Sequence, residues 1–194
     1  MSLFRQAKGQ KENSRKNERA WIRMLFREAY LLARDFLIAL SFFAFVVYFL
    51  IQPFKVEGTS MLPSLKNHGK ILVNKIPFRF YEIHRGDIVV FEYPDSARRS
   101  FIKRVIGLPG DSVSIRDGIV RINGCQLNEP YVREEFRGHD NMSDVHVTKG
   151  HYFVLGDCRT LSSDSRTWGL VPAQAICGKA FFTYWPWGEI GQIR

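Results

Sequence analysis

An uncharged apolar run at residues 36–51 is the feature that most limits what this chain can fold into. Its sequence is Phe-Leu-Ile-Ala-Leu-Ser-Phe-Phe-Ala-Phe-Val-Val-Tyr-Phe-Leu-Ile, which leaves no polar face to turn toward water. As a helix it is roughly 24 Å long against a hydrocarbon layer of about 30 Å, so flanking residues complete a crossing. We predict one transmembrane anchor over residues 35–53. The alternatives are a buried core helix and a cleaved signal peptide, although no small-x-small cleavage pattern follows the run.

The positive charge of the chain is concentrated before this run. Residues 1–34 contain nine Lys or Arg against three Glu, so +6 of the net charge of +9 lies there. Because Lys and Arg beside a span remain on the cytoplasmic side, we predict a basic cytoplasmic tail over residues 1–34 and an exported domain over residues 54–194. That domain is only mildly basic, which disfavours a nucleic-acid binder.

The residues after the anchor have the pattern of a β domain. Short apolar segments separated by Gly, Pro and Asp predict strands, and residues 112–116 and 119–122 alternate around Asp117-Gly118, a preferred type I′ hairpin turn. The polar segment 126–150 is predicted to be an excursion from the sheet. The fold class is therefore mostly β, preceded by one N-terminal transmembrane helix. Further strands are predicted at residues 70–74, 86–91, 101–106, 151–155 and 176–184.

The cysteines do not form a recognisable metal-binding pattern. Cys125, Cys158 and Cys177 are too scattered for a metal site, and three cysteines allow no more than one internal disulfide. We predict neither a metal nor a cofactor.

Ser60 is a candidate nucleophile in the segment Gly58-Thr-Ser-Met-Leu-Pro63, a few residues beyond the anchor. A serine in such a Gly/Pro-rich segment is more commonly a turn residue, whose hydroxyl bonds the nearby backbone. To attack a peptide carbonyl it needs an adjacent base. None of the five histidines lies in a recognisable triad motif.

Lys103 is the candidate base, because Lys103 and Arg104 interrupt an otherwise apolar predicted strand. Neighbouring side chains on a strand point to opposite faces, so an Arg104 that faces water directs Lys103 inward with Phe101 and Val105. Burial lowers the pKa of a lysine and favours the neutral amine that a general base requires. The alternative is a lysine that extends from an edge strand into solvent.

The segment 156–169, Gly-Asp-Cys-Arg-Thr-Leu-Ser-Ser-Asp-Ser-Arg-Thr-Trp-Gly, is dense in charges and hydroxyls. It is either a solvated loop or a hydrogen-bonded layer that orients a catalytic group.

Taken together, the anchor and four motifs resemble the bacterial type I signal peptidase family, from about Pro53 to Tyr184. The motifs are Gly-Thr-Ser-Met-Leu-Pro at 58–63, Gly-Asp-Ile-Val-Val at 86–90, Lys-Arg-Val-Ile-Gly-Leu-Pro-Gly-Asp at 103–111, and Gly-Asp-x-Arg-x-x-Ser-x-Asp-Ser-Arg-x-Trp-Gly at 156–169. The resemblance implies an all-β catalytic domain with an appended small β region. It also implies a membrane-bound serine endopeptidase that removes signal peptides from exported pre-proteins.

By this resemblance Ser60 is the nucleophile that forms an acyl-enzyme, and Lys103 is its general base. Ser162 orients the lysine, while Asp164 and Arg166 form a charged pair that braces the loop, and Asp157 has a supporting role. The backbone N–H of Ser60 donates to the oxyanion. The chain departs from the family pattern at Gly58, where some members carry a second oxyanion donor, and at Cys158, where asparagine is common.

The resemblance further implies cleavage after small-x-small motifs. The residues that line shallow apolar pockets for the small side chains are Phe54, Val56, Leu65, Phe101 and Ile102. The implied partners are signal peptides, membrane lipid and, by proximity, the protein-export machinery. The implied location is the bacterial plasma membrane, with one span and a cytoplasmic N-terminus. The alternatives are a specialised Ser/Lys maturation protease of a conjugation or secretion system and a non-catalytic membrane-anchored β domain.

Overall fold

The protein is described by a computed structural model that covers residues 2–75, 82–92 and 99–193; for residues 2–20 and 22 it describes the backbone alone. The chain forms two compact units, residues 1–48 and residues 49–194.

A single long helix, α1, runs over Ser2–Leu50. Within it the 28-residue segment Arg23–Leu50 is long and apolar enough to cross a membrane, and most of its large apolar side chains are exposed. The helix ends three residues before the predicted end of the anchor, because Ile51–Lys55 is a strand. Pro53 lacks the N–H that a continuing helix needs, which favours this early end.

Two antiparallel sheets make up the second unit. The strands are β1 Ile51–Lys55, β2 Lys70–Asn74, β3 Ile88–Glu92, β4 Ser100–Gly107, β5 Ser112–Arg116, β6 Ile119–Ile122, β7 Cys125–Gln126, β8 Met142–His146, β9 His151–Leu155, β10 Val171–Pro172, β11 Ile176–Trp185 and β12 Gly191–Gln192. The larger sheet has the strand order β1-β2-β11-β3-β4-β9-β10, with β12 paired to β11, and the smaller has the order β7-β6-β5-β8. This mostly-β architecture confirms the predicted fold class.

The predicted hairpin is confirmed. Strands β5 and β6 pair with Arg116 opposite Ile119, and both turn residues, Asp117 and Gly118, have positive φ angles of 48° and 73°, as a type I′ turn requires. The segment 126–150 contributes β8 and the short helix α2, Glu134–Arg137, so it takes part in the smaller sheet.

Strand β4 carries the candidate lysine and is only partly paired. Strand β3 pairs with it along Ser100–Arg104, but β9 pairs only with its second half, starting at Arg104. Among the described strands, none pairs with the other side of residues 100–103. The first half of β4 therefore offers free backbone groups beside the candidate site.

Candidate active site

Ser60 lies in the loop between β1 and β2, which is held by its own hydrogen bonds and by the core. Gly58 N–H donates to Asn67 Oδ1 at 2.9 Å, and Leu62 N–H donates to the Thr59 carbonyl at 3.1 Å. Met61, the residue after Ser60, is 2% exposed and packs in the core. Because the residues on both sides are held, the Ser60 side chain has a defined position.

Lys103 reaches this serine from β4. Its Nζ donates to Ser60 Oγ at 2.7 Å, although the two residues are 43 positions apart in the chain. The side chain is buried, and that burial lowers its pKa from 10.5 to about 8; Asp164 and Asp157 act in the opposite direction, while Arg166 lowers the pKa further. A substantial fraction of the amine is neutral in mildly alkaline solution, and a neutral amine can accept the serine proton.

Arg104 is buried on the opposite side of β4, although the inward direction of Lys103 was argued from an Arg104 that faces water. It is 1% exposed, and its Nε and Nη2 donate to the two carboxylate oxygens of Asp157 at 2.8 and 2.7 Å. Its Nη1 donates to the Gly86 carbonyl at 2.8 Å. That condition does not hold, because a paired, hydrogen-bonded guanidinium can be buried where a lone cation cannot. Sequence reasoning thus missed Arg104, although two adjacent cations in an apolar strand were a signal.

The turn after β9 holds the charged pair named from the sequence. Arg166 Nε and Nη2 donate to the Asp164 carboxylate, both at 2.8 Å, and Asp164 also accepts from Gly156 N–H at 3.0 Å. Arg166 Nη2 donates in addition to the carbonyls of Arg159 at 2.7 Å and Ser162 at 3.2 Å. Arg166 and Asp164 therefore hold the segment 156–166 in a compact turn.

Ser162 lies beside the dyad without hydrogen-bonding it. Its Oγ is buried and has no hydrogen-bond partner among the described residues. A Cβ placed on Gly156 would lie 2.2 Å from Ser162 Oγ and 2.5 Å from the Ser60 carbonyl oxygen, so these groups converge over that glycine. Cys158 N–H donates to the same Ser60 carbonyl at 3.0 Å. Orientation of Lys103 by Ser162 stays a prediction.

A cleft of about 580 Å³ opens in front of the two residues. Ser60 and Lys103 both line it, and so do four of the five predicted substrate-binding residues, Phe54, Val56, Phe101 and Ile102. Leu65 does not line this cleft. It is 2% exposed in the core and borders a separate cavity of about 160 Å³ with Ser64 and Ile71. The sequence alone does not show whether the side chain of a leucine in a loop points into the core or into a substrate pocket.

The three cysteines are free thiols: Cys125 is exposed, Cys158 is buried and Cys177 is partly buried. Within the described parts of the chain, no group of three or more His, Cys, Asp or Glu side chains is arranged to hold a metal ion.

Comparison with known proteins identifies the family. The family model described as "Signal peptidase, peptidase S26" matches residues 30–185, which is most of the chain and includes every candidate site residue. The chain belongs to this signal peptidase family. Family membership makes it a peptidase that removes signal peptides.

Similar proteins extend over most of the chain. The "Probable signal peptidase I-1" of Synechocystis sp. strain PCC 6803 is 36% identical over 167 residues, which cover 81% of this chain and 84% of that protein. The "Signal peptidase I" of Bacillus licheniformis is 38% identical over 151 residues, covering 73% and 81%. A crystal structure of a signal peptidase I from Enterococcus faecalis V583 is 34% identical, with a TM-score of 0.45, and covers 50% of this chain and 96% of that one.

Proposed function

We propose that this signal peptidase cleaves exported pre-proteins through a Ser60/Lys103 dyad and an acyl-enzyme intermediate. The observation that carries the proposal is the 2.7 Å contact between Lys103 Nζ and Ser60 Oγ, made by a buried amine whose pKa is lowered to about 8. A serine with an adjacent base of this kind has what nucleophilic attack on an amide requires.

In the acylation step the neutral Lys103 amine takes the proton from Ser60 Oγ as that oxygen attacks the scissile carbonyl. The resulting ammonium then protonates the departing amine of the mature chain, which leaves the signal peptide esterified to Ser60. In the second step the neutral amine takes a proton from water, the hydroxide attacks the ester, and Ser60 regains its proton as it leaves. The Ser60 backbone N–H donates to the oxyanion. The backbone N–H of Gly58 does not share this role, because it donates to Asn67 Oδ1.

The signal peptide binds in extended form in the cleft between the β1 edge and the first half of β4. The unpaired backbone groups of residues 100–103 supply hydrogen bonds of the kind that strand addition uses. The bulky side chains of Phe54, Phe101 and Ile102 border the cleft and leave shallow space. Small residues at the first and third positions before the cut fit that space, so cleavage follows small-x-small motifs.

The apolar part of α1 supports a location in the bacterial plasma membrane as a single-span protein. Its exposed apolar side chains, such as Phe36 and Phe42 at 67% and 68%, suit contact with lipid. The basic residues before the span keep the N-terminus in the cytoplasm, and the β unit lies outside, near the export machinery that delivers its substrates.

The test is cleavage of a purified secretory precursor in detergent by the intact chain and by Ser60→Ala and Lys103→Ala, with the N-terminus of the product sequenced. We expect both variants to fold and to lose activity by roughly 1,000-fold or more, in line with the loss of a nucleophile or its base in other serine proteases. Ser143→Ala and Lys149→Ala replace exposed residues of the same types and serve as matched controls. Comparable cutting by Ser60→Ala or Lys103→Ala overturns the dyad.

A further inference from the structure

Glu129 is a buried carboxylate outside every motif that defines the site. It lies in the segment between β7 and α2, and its side chain is 1% exposed. It accepts from Arg159 Nη1 at 3.3 Å and from Arg159 Nη2 by a second, shorter contact. A buried carboxylate and guanidinium require each other, because either one left alone carries a large desolvation cost. Arg159 is therefore held in place by a residue of the segment between β7 and α2.

Arg159 connects this carboxylate to the turn that contacts the nucleophile. Its Nε donates to the Gly156 carbonyl at 3.0 Å. Gly156 lies so close to the Ser60 carbonyl that no Cβ fits between them, and two residues further Cys158 N–H donates to that same carbonyl at 3.0 Å. A shift of Gly156 would thus be transmitted directly to the backbone of Ser60.

Tyr131 connects Glu129 to the other side of the same turn. Its hydroxyl donates to Glu129 Oε1 at 3.2 Å, and the centre of its ring lies 3.9 Å from Cζ of Arg104. Arg104 in turn makes its two hydrogen bonds to Asp157. Burial and the neighbouring Glu129 charge raise the pKa of Tyr131, so its hydroxyl remains a donor. Stacking of a guanidinium on an aromatic ring is favourable and fixes the plane of the arginine.

We propose that Glu129 and Tyr131 are positioning residues for the peptidase reaction. From the segment between β7 and α2 they hold Arg159 and Arg104, and through these arginines they hold the turn at residues 156–158 against the backbone of Ser60. The inference rests on the proposed Ser60/Lys103 mechanism. It gives the segment between β7 and α2 a role in catalysis, although that segment contributes none of the candidate catalytic residues.

A positioning role predicts an effect on kcat rather than on KM. The substrate cleft is lined by residues of β1, β4 and their neighbours, and neither Glu129 nor Tyr131 lies among its lining residues. Loosening the turn changes the alignment of Ser60 with the bound carbonyl, and a misplacement of about 1 Å can cost roughly 100-fold in rate.

The experiment measures kcat and KM for a purified precursor with Glu129→Gln, Tyr131→Leu and Tyr131→Phe in the intact detergent-solubilised chain. Rates are normalised to the folded fraction from circular dichroism, well below each variant's melting temperature. We expect kcat to fall at least about tenfold for Glu129→Gln and Tyr131→Leu, with KM unchanged within about twofold. Tyr131→Phe keeps the ring over Arg104, so its kcat is expected to lie between those of Tyr131→Leu and the intact chain.

Asp111→Asn is the matched control for lost stability. Asp111 is a buried carboxylate that accepts from Arg85 Nη2 at 3.0 Å and from Asn123 Nδ2 at 3.1 Å, and none of its hydrogen bonds within the described residues reaches the segment 156–166. We expect it to lower the melting temperature while kcat per folded molecule is retained.

The proposal is overturned if Glu129→Gln and Tyr131→Leu keep kcat within about twofold, if the loss lies in KM alone, or if Asp111→Asn loses as much kcat. If Glu129→Gln does not fold, the proposal is judged by the same kcat and KM criteria from Tyr131→Leu and Tyr131→Phe. Ser60→Ala in the same assay separates the two claims. Activity in Ser60→Ala rejects the proposed mechanism, whereas an inactive Ser60→Ala with unaffected Glu129 and Tyr131 variants rejects the positioning role alone.

Discussion

The protonation state of Lys103 is expected to set the pH dependence of cleavage. Below its pKa of about 8 the amine is an ammonium and cannot take the Ser60 proton; above that pKa it is neutral. The rate of acylation should therefore rise with pH through about 8 and level off beyond it. Single-turnover cleavage between about pH 6 and about pH 10 measures this, and a rate that does not change over that range contradicts the lysine base.

Burying Lys103 also has a cost in stability. Because its pKa is lower in the folded chain than the ordinary 10.5, the unfolded chain binds the proton more tightly. The cost is fully present below about pH 8 and disappears as the pH rises toward 10.5. Lys103→Met should therefore raise the free energy of unfolding at neutral pH, by no more than about 3 kcal/mol.

Urea unfolding of the intact chain and of Lys103→Met over a series of pH values tests this expectation. The gain in the free energy of unfolding of Lys103→Met over the intact chain should shrink with rising pH. At every pH this gain is smaller by about 1 kcal/mol, because the variant has lost the hydrogen bond to Ser60. Lys149→Met, at an exposed position, should produce no such trend. A stabilisation by Lys103→Met that does not vary with pH would mean that the lysine is not destabilised by burial.

At the scale of single elements, the turn after β9 depends on the absence of a side chain at Gly156. An added Cβ would meet Ser162 Oγ at 2.2 Å and the Ser60 carbonyl at 2.5 Å. Gly156→Ala should therefore move Ser60 away from Lys103 and reduce kcat by roughly 100-fold or more, which precursor cleavage measures. Gly188→Ala is the control, because a Cβ there meets no atom within 4 Å. Full activity in Gly156→Ala would show that the turn can move without disturbing Ser60.

The β5–β6 hairpin depends on its glycine in a different way. Gly118 has a positive φ of 73°, and a Cβ there would lie 2.2 Å from the Gly138 carbonyl oxygen. Gly118→Ala should lower the free energy of unfolding by more than about 1 kcal/mol, which thermal or urea unfolding measures. Gly124 also has a positive φ, but a Cβ added there meets no atom within 4 Å. Gly124→Ala therefore measures the cost of backbone strain without a steric clash. Equal losses in the two variants would contradict a role for the contact with Gly138.

At the scale of the whole molecule, the reactivity of the three cysteines can show on which side of the membrane the β unit lies. Cys125 is exposed on the β unit, whereas Cys158 is buried. A membrane-impermeant thiol reagent added to spheroplasts should therefore label the intact chain, and Cys125→Ser should abolish most of the labelling. Labelling that requires lysis of the spheroplasts would place the β unit in the cytoplasm and contradict the proposed orientation.

The sequence by itself determined the elements whose signals are local. The apolar run predicted the helix, and Asp117-Gly118 predicted a hairpin whose register the structure reproduces. Ser60 and Lys103 were predicted as candidate nucleophile and base from motifs and from the resemblance to a family. Such signals are readable because periodicity, turn conformation and motif spacing depend on neighbours in the chain.

Only the tertiary structure decided which side chains meet and which are buried. It brings Lys103 within 2.7 Å of Ser60 across 43 residues, buries Arg104 on Asp157, and turns Leu65 into the core. It also links Glu129 and Tyr131 to the turn beside Ser60, although no motif marks them. The physical reason is that burial and pairing depend on groups distant in the chain. A guanidinium is stable in the interior only when it is paired with a carboxylate, and the sequence does not specify which carboxylate that is.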